Sequence, residues 1–417
     1  MSTSTPEPSR EAGLRQLNQF VARAGISYSK SRNFDFGPER RGNVSMLSPY
    51  IRHRTILESE VLQATLQQHS IAAADKFVQE VFWRAYFKGW LEHHPSVWAE
   101  YQRWVSQSLS DIENDASAWQ RYESAVNGAT GIDCFDAWAK ELVKYGYLHN
   151  HARMWFASIW VFTLKLPWQL GADFFYRHLV DGDPASNTLS WRWVCGLHTK
   201  GKTYLARASN IAKFTDNRFC PDGQLATHAS TLTESVAHPV EPLRTPQTLE
   251  GDEPFGLLIT EDDCFPENLL QDQEPVAVIG LTATERRSPL PIGKPALDFA
   301  TGAVSDGVKH TAMRFGVSGE VSAGDVWGPI LAKWAHQHRV KTIVTAYAPI
   351  GPVFDVLEEA NETLAGHGVK ILQLHRAYDT VAWPHASRGY FKLREHIPEI
   401  LARIGIPANS ATPESRS

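Results

Sequence analysis

The chain has 417 residues, more than one compact domain usually holds and enough for two or three. It is 43% hydrophobic and 21% charged, with formal net charge -5, which excludes a disordered polyelectrolyte and gives no global electrostatic reason to bind nucleic acid. Four separated cysteines (Cys134, Cys195, Cys220, Cys264) without a CxxC pair argue against a zinc ribbon, a redox pair or a disulfide scaffold.

The N-terminal MSTSTPEPSREAGLRQL has no apolar h-region, and no uncharged apolar run reaches the length of a membrane span. A cytoplasmic protein without membrane contact is expected. From residue 10 to about 222, apolar residues recur at helical spacing and β-branched runs are scarce. HSIAAADKFVQEVFWRAYFKGWLEHH (69–94) is the clearest predicted helix, and a second runs from about His149 through Lys165. Pro167 marks a break, with a helix resuming at Asp173, and DGDPASN (181–187) is loop chemistry. Eleven of the 14 tryptophans fall between Trp83 and Trp193, most simply as core padding.

The character changes near residue 223. Residues 228–254 are rich in Pro, Thr and Glu and read as a linker. FGLLIT (255–260), VAVIGLTA (276–283), KTIVTAY (341–347) and KILQLH (370–375) read as strands, with helices at 324–338 and 353–366. That alternation predicts a small parallel α/β sheet. The expected division is a helical domain (1–222), a linker (223–254), an α/β domain (255–406) and a disordered tail (407–417). WPHASRGYF (383–391) is read as a seam packing on the helical half, and the strand C-termini as a place for a second chromophore.

Gly196 to Thr203 fits G-x-x-x-x-G-K-[ST], but WRWVC precedes it where a P-loop needs a buried strand. DGDPASN starts like a calcium loop but has Ala185 at its fifth position and lacks the glycine. No metal site is expected. On the helix at 149–165, Asn150, Arg153, Met154 and Ala157 share one stripe, which is polar, cationic, soft and small. Such a stripe suits either the wall of a polar, flat ligand or a surface face with Arg153 solvated.

Five segments together resemble the FAD-binding helical domain of the photolyase/cryptochrome family: YSKSR (28–32), NVSMLSPY (43–50), FVQEVFWRAYF (77–87), YGYLHNHARMWFAS (145–158) and Asp181-Gly-Asp183-Pro-Ala-Ser-Asn187-Thr-Leu-Ser-Trp191-Arg-Trp193. The resemblance covers 25–220 and implies an all-helical bundle holding FAD, followed here by the small parallel α/β domain, an antenna-like domain in permuted order or an unrelated module. It implies a diphosphate held by Ser45, Leu47 and Ser48 with Tyr28 alongside; Val44 replaces the family's threonine. Phe77, Glu80 and Asn150 join the cofactor set. The resemblance places Arg153 near the flavin, lets Asp181 and Asp183 bond to the ring edge, the ribityl chain or Arg153, and sets Asn187 facing N5.

The implied reaction is light-driven electron transfer from reduced flavin to a pyrimidine dimer, with Glu80, Asn187, Trp191 and Trp168 catalytic. The alternative is a blue-light sensor without repair activity. The resemblance implies that Trp83 and Trp193 clamp the flipped lesion, with Arg84 and Met154 beside them. Electrons hop through Trp191 and Trp168; Trp138, Trp155 and Trp160 are candidates for a third, surface member. Lys202 and Arg207, in a basic loop (200–214), contact DNA phosphates. The expected partner is damaged DNA, single- or double-stranded, bound by a monomer. No iron–sulfur cluster is expected, and any second antenna chromophore is unspecified.

Overall fold

The computed structural model describes residues 6–407. The expected tail, 407–417, lies outside them except for its first residue.

The helical half comprises α1 (Arg10–Phe20), α2 (Ile26–Ser31), α3 (Ser48–Arg52), α4 (Glu58–Gln68), α5 (Asp75–Glu92), α6 (Ser96–Glu113), α7 (Ala116–Val126), α8 (Asp133–Tyr145), α9 (Asn150–Ser158), α10 (Trp168–His178), α11 (Pro184–Val194) and α12 (Ala208–Phe214). Helix α5 is shorter than expected: residues 71–74 form a turn, and the helix starts at Asp75. Helix α9 passes into a π-turn at Ile159–Thr163, so the predicted 149–165 helix is nearly continuous but wider at its end. Helix α10 starts at Trp168, not Asp173, with Pro167 at its N-cap, where a proline costs no hydrogen bond.

The later half holds a five-stranded, wholly parallel sheet in the order β3-β2-β1-β4-β5. Its strands are β1 (Phe255–Thr260), β2 (Ala277–Leu281), β3 (Ser318–Val321), β4 (Thr342–Ala346) and β5 (Lys370–Leu374). Strands β1, β2 and β4 are buried throughout, as the apolar runs required. Edge strand β3, SGEV, is wholly exposed and was not foreseen. Helices α13 (Lys294–Phe315), α14 (Trp327–His338) and α15 (Pro352–Gly366) are the crossovers, and α16 (Ala377–Ala382), α17 (Tyr390–Glu395) and α18 (Ile397–Arg403) follow the sheet.

The halves pack directly on one another. Residues 383–391 form the expected seam against α5. Gly89 makes room for it, since a Cβ there would stand 2.8 Å from both Ala386 Cβ and Trp383 Cδ1. The 223–254 segment forms no helix and is tied down at points: Glu241 donates its backbone N–H to the His93 carbonyl (2.7 Å), and Arg244 reaches Glu92 and the Ala348 carbonyl. Among the described residues no helix is long and apolar enough to cross a membrane.

Candidate functional site

Helix α9 begins at Asn150, after His149 caps it through the His151 N–H. Arg153, one turn in, points at the loop before α11. Its Nη2 meets both Asp181 oxygens, at 3.0 and 2.9 Å, while Nε donates to the Leu148 carbonyl (3.0 Å). Burial would raise the Asp181 carboxyl, but Arg153, Arg84 and a Ser48 hydrogen bond outweigh it and hold the pKa below the usual value. Asp181 therefore stays charged, fixed between α9 and α11.

Asp183 is the N-cap of α11 and accepts from the Ser186 N–H at 2.7 Å. It is fully buried, and burial alone would raise it. Lys88 and Arg52, each at 3.9 Å, together with Arg84 bring it down to about 2. Arg52 in turn donates through Nε to the Gly182 carbonyl (2.8 Å) and pairs with Asp262 at 2.7 Å. Asp262 follows strand β1, so the C-terminal end of the sheet braces the Asp181–Asn187 loop. His53 reinforces this contact, with Nδ1 2.7 Å from the Glu261 carbonyl oxygen. The strand ends expected to face a second chromophore thus face the helical half.

Neither Arg52, Lys88 nor Asp262 was singled out from the sequence. Lys88 had a signal, lying one turn beyond Arg84 on the same face of α5. Arg52 and Asp262 are 210 residues apart, and nothing local ties them together.

At the Ser45–Ser48 turn, Met46 takes a left-handed conformation (φ 55°), and the Leu47 N–H donates to Ser45 Oγ at 3.3 Å. Arg84 donates to the Ser48 carbonyl (3.1 Å), joining this turn to the Asp181 cluster. Leu47 is fully buried. Tyr28 lies in an aromatic group with Phe20 and Phe77, ring centroids 5.7 and 5.3 Å away. Glu80 is paired with Arg32, on the C-terminal side of Tyr28. Asn187 donates its amide to the Ala172 carbonyl (2.8 Å), and the flanking hydroxyls of Ser186 and Thr188 are buried without hydrogen-bond partners among the described residues. Orphaned hydroxyls, a charged Arg–Asp pair and a turn bracketed by two serines fit a polar, phosphate-bearing cofactor such as FAD. Asn150 is exposed and Met154 half-buried on the same helix face as Arg153.

The tryptophans divide. Trp191 is buried against Phe175 (5.1 Å) and Trp160 (6.3 Å). Gly171 makes this approach possible, since a Cβ there would lie 2.3 Å from the Trp191 ring. Trp168, one turn earlier on α10, stacks on Tyr101 at 5.9 Å. Trp138, Trp155 and Trp160 are all fully buried, so none serves as the surface member sought from the sequence. Trp193 stacks on Tyr204 (5.6 Å), with Lys202 and Arg207 exposed on the loop that follows. Trp83 is partly buried, with one face covered: Tyr390 lies flat on it, 3.6 Å away at 10°.

The P-loop-like octet 196–203 is a turn after α11, far in sequence from any strand. His385, His396 and Glu399 bring one donor atom each within 4.8 Å of one another, a grouping the sequence reading, which expected no metal, did not single out.

Residues 77–229 match the family model described as "FAD binding domain of DNA photolyase". The chain is similar to the deoxyribodipyrimidine photo-lyase of Agrobacterium fabrum, 33% identical over 197 residues, 45% of this chain and 38% of the relative. It is also similar to that of a Synechococcus strain, 30% identical over 219 residues, 50% of this chain and 43% of the relative. The chain thus covers less than half the length of these relatives. Among solved structures, a bacterial class III photolyase from Agrobacterium tumefaciens aligns at 27% identity with TM-score 0.41, covering 50% of this chain and 43% of that one. Within the helical half, residues 77–229 thus match the FAD-binding domain of DNA photolyase, and the sequence relatives over that region are named photo-lyases.

Proposed function

We propose that the chain is an FAD-dependent enzyme that repairs pyrimidine dimers in DNA under light. The observation that carries this reading is the buried Arg153–Asp181 pair, joined through Arg84 to the Ser48 turn and flanked by the capped Asp183–Asn187 loop. Ser45, Leu47 and Ser48 would hold the diphosphate, with Tyr28 and Phe77 walling that end. Arg153 supplies a fixed cation beside the flavin, Asp181 and Asp183 orient it, and Asn187 faces the ring. Reduced FAD, excited by blue light, supplies one electron to the dimer and takes it back after cleavage. Trp193, Met154, Arg84 and Glu80 line the approach, Trp83 adds a stacking face once uncovered, and Lys202 and Arg207 meet the phosphates. Trp191, followed by Trp168, conducts reducing electrons to the flavin.

One observation favours a second reading, a light sensor without repair. Tyr390 already stacks on one face of Trp83, the ring that the repair reading assigns to the lesion. Binding titrations on damaged and intact DNA, followed by illumination of the reduced protein and assay for restored bases, separate the two. Repair requires preference for damaged DNA and light-dependent restoration. Photoreduction without either leaves the sensor.

A further inference from the structure

Outside the cofactor set, one group of metal-ligating side chains stands together. His385 ends the turn Trp383–His385, His396 joins α17 to α18, and Glu399 lies in the first turn of α18. One donor atom from each lies within 4.8 Å of the other two. The two imidazoles stack with centroids 3.9 Å apart at 21°, and His396 Nδ1 stands 3.1 Å from Glu399 Oε2. Arg403, one turn further along α18, adds positive charge near Glu399, whose ion-pair partner is His396.

The backbone under these side chains is fixed. Ala386 donates its N–H to the Trp383 carbonyl, His396 to the Leu393 carbonyl and Ile400 to the His396 carbonyl, each at 2.9 Å. Trp383, Ala386, Leu393, Ile397 and Ile400 are buried, so each ligand residue is anchored by its neighbours while its own side chain reaches solvent. Two imidazole nitrogens and a carboxylate oxygen suit zinc and related divalent ions, and not calcium or magnesium, which take oxygen ligands. Bonds of about 2.0–2.2 Å around a tetrahedral ion set the donors about 3.4 Å apart. The His396–Glu399 pair is already that close. Rotation of half-exposed side chains brings in the third donor.

We propose that His385, His396 and Glu399 bind one divalent cation of the zinc class, with water completing its coordination. The two histidines bracket α17, the helix that carries Tyr390. The ion therefore closes the chain around α17 and ties Tyr390 in place against Trp83.

The test titrates the full chain, stripped of metal with a chelator, with Zn²⁺ alone and follows binding by calorimetry. A saturable site is expected, and a large excess of Mg²⁺ or Ca²⁺ should not compete for it. His385→Gln and His396→Gln should each weaken it more than about tenfold, the least that losing even a supporting partner of a ligand costs. Glu399→Gln, at an exposed position, should weaken it too while leaving the melting temperature of the metal-free protein as in wild type. Arg403→Gln should tighten it, because a nearby positive charge is gone. Zinc should also slow amide hydrogen exchange in residues 386–396 of wild type, and not in Glu399→Gln. Absence of saturable zinc binding, affinity unchanged in all three ligand variants, or exchange that zinc does not alter would overturn the proposal. Flavin content and repair are read separately, so this proposal and the repair reading fail independently.

Discussion

Tyr390 lies parallel to Trp83, 3.6 Å above its ring, and its hydroxyl donates to the Gln79 carbonyl at 3.2 Å. The ring comes from α17, beyond the sheet, and covers a tryptophan on the helix that faces the flavin motifs. A lesion stacking on Trp83 must displace it. Tyr390→Leu, which keeps apolar bulk in the seam, is expected to tighten binding of dimer-containing DNA by up to about tenfold, since one aromatic stack no longer competes with another. Trp83→Ala should abolish that gain. A fluorescence-anisotropy titration on damaged and intact oligonucleotides checks both, and equal affinities for wild type and Tyr390→Leu would show that the lesion does not use this face.

The Arg153–Asp181 pair should be essential for holding the cofactor. Asp181→Asn leaves Arg153 without its charge partner in a largely buried setting, a change that typically costs about 3–5 kcal/mol. The expected outcome is a folded protein that purifies with little FAD, measured as the ratio of flavin to protein absorbance. Full FAD content in Asp181→Asn would mean that the pair is only a structural tie between α9 and α11.

The brace from the sheet makes a parallel claim. Asp262→Ala removes the partner of Arg52, which holds the Gly182 carbonyl, without touching any residue of the proposed cofactor set. Retention of FAD should fall, and the melting temperature with it, because a buried arginine loses its nearer carboxylate and keeps only Asp183, at 3.9 Å. If flavin content and melting temperature both match wild type, the α/β half does not support the loop.

Much of this arrangement was readable from local pattern. Strands β1, β2, β4 and β5 each announce themselves as short apolar runs, and the spacing of Asp181, Asp183 and Asn187 marks the loop and its N-cap. Strand β3 escaped because an exposed edge strand needs no apolar side chains, so SGEV carries no period-two signal. The crossover α13 was not singled out either: its buried face intersperses Phe299, Val304 and Val308 with Ala296, Ala300, Ala303 and Gly307, whose small side chains dilute the periodic contrast. The Arg52–Asp262 pair and the Trp83–Tyr390 stack were not legible at all. Each joins residues from opposite halves of the chain, and their pairing follows only from how those halves dock.

The electron path predicts a kinetic effect. Trp191→Phe keeps the packing against Phe175 and Gly171 but removes an oxidisable indole. Photoreduction under blue light with an external reductant should slow at least about tenfold, while bound FAD is unchanged. An unaltered rate of loss of the oxidised flavin band would show that electrons enter by another route.

A pH effect follows from Asp173. Burial pushes its carboxyl up to about 6, with Arg177 at 3.4 Å offsetting this only in part. Because the folded value lies above the unfolded one, ionisation opposes folding. This group therefore costs stability as pH rises from about 4 to about 6, and the full cost persists above that. Asp173→Asn, which cannot ionise, should be more stable than wild type at pH 7.5 by about 1–3 kcal/mol. The advantage should fade towards pH 4, and thermal melts at both pH values read the difference. A gain that is the same at both would assign the effect to packing and not to charge.

The most direct measurement is the absorption spectrum of the purified full chain before and after blue light with an added thiol. The account predicts oxidised-flavin bands at close to one FAD per chain, bleaching on illumination as the flavin is reduced. A colourless protein that takes up no FAD on reconstitution would contradict it.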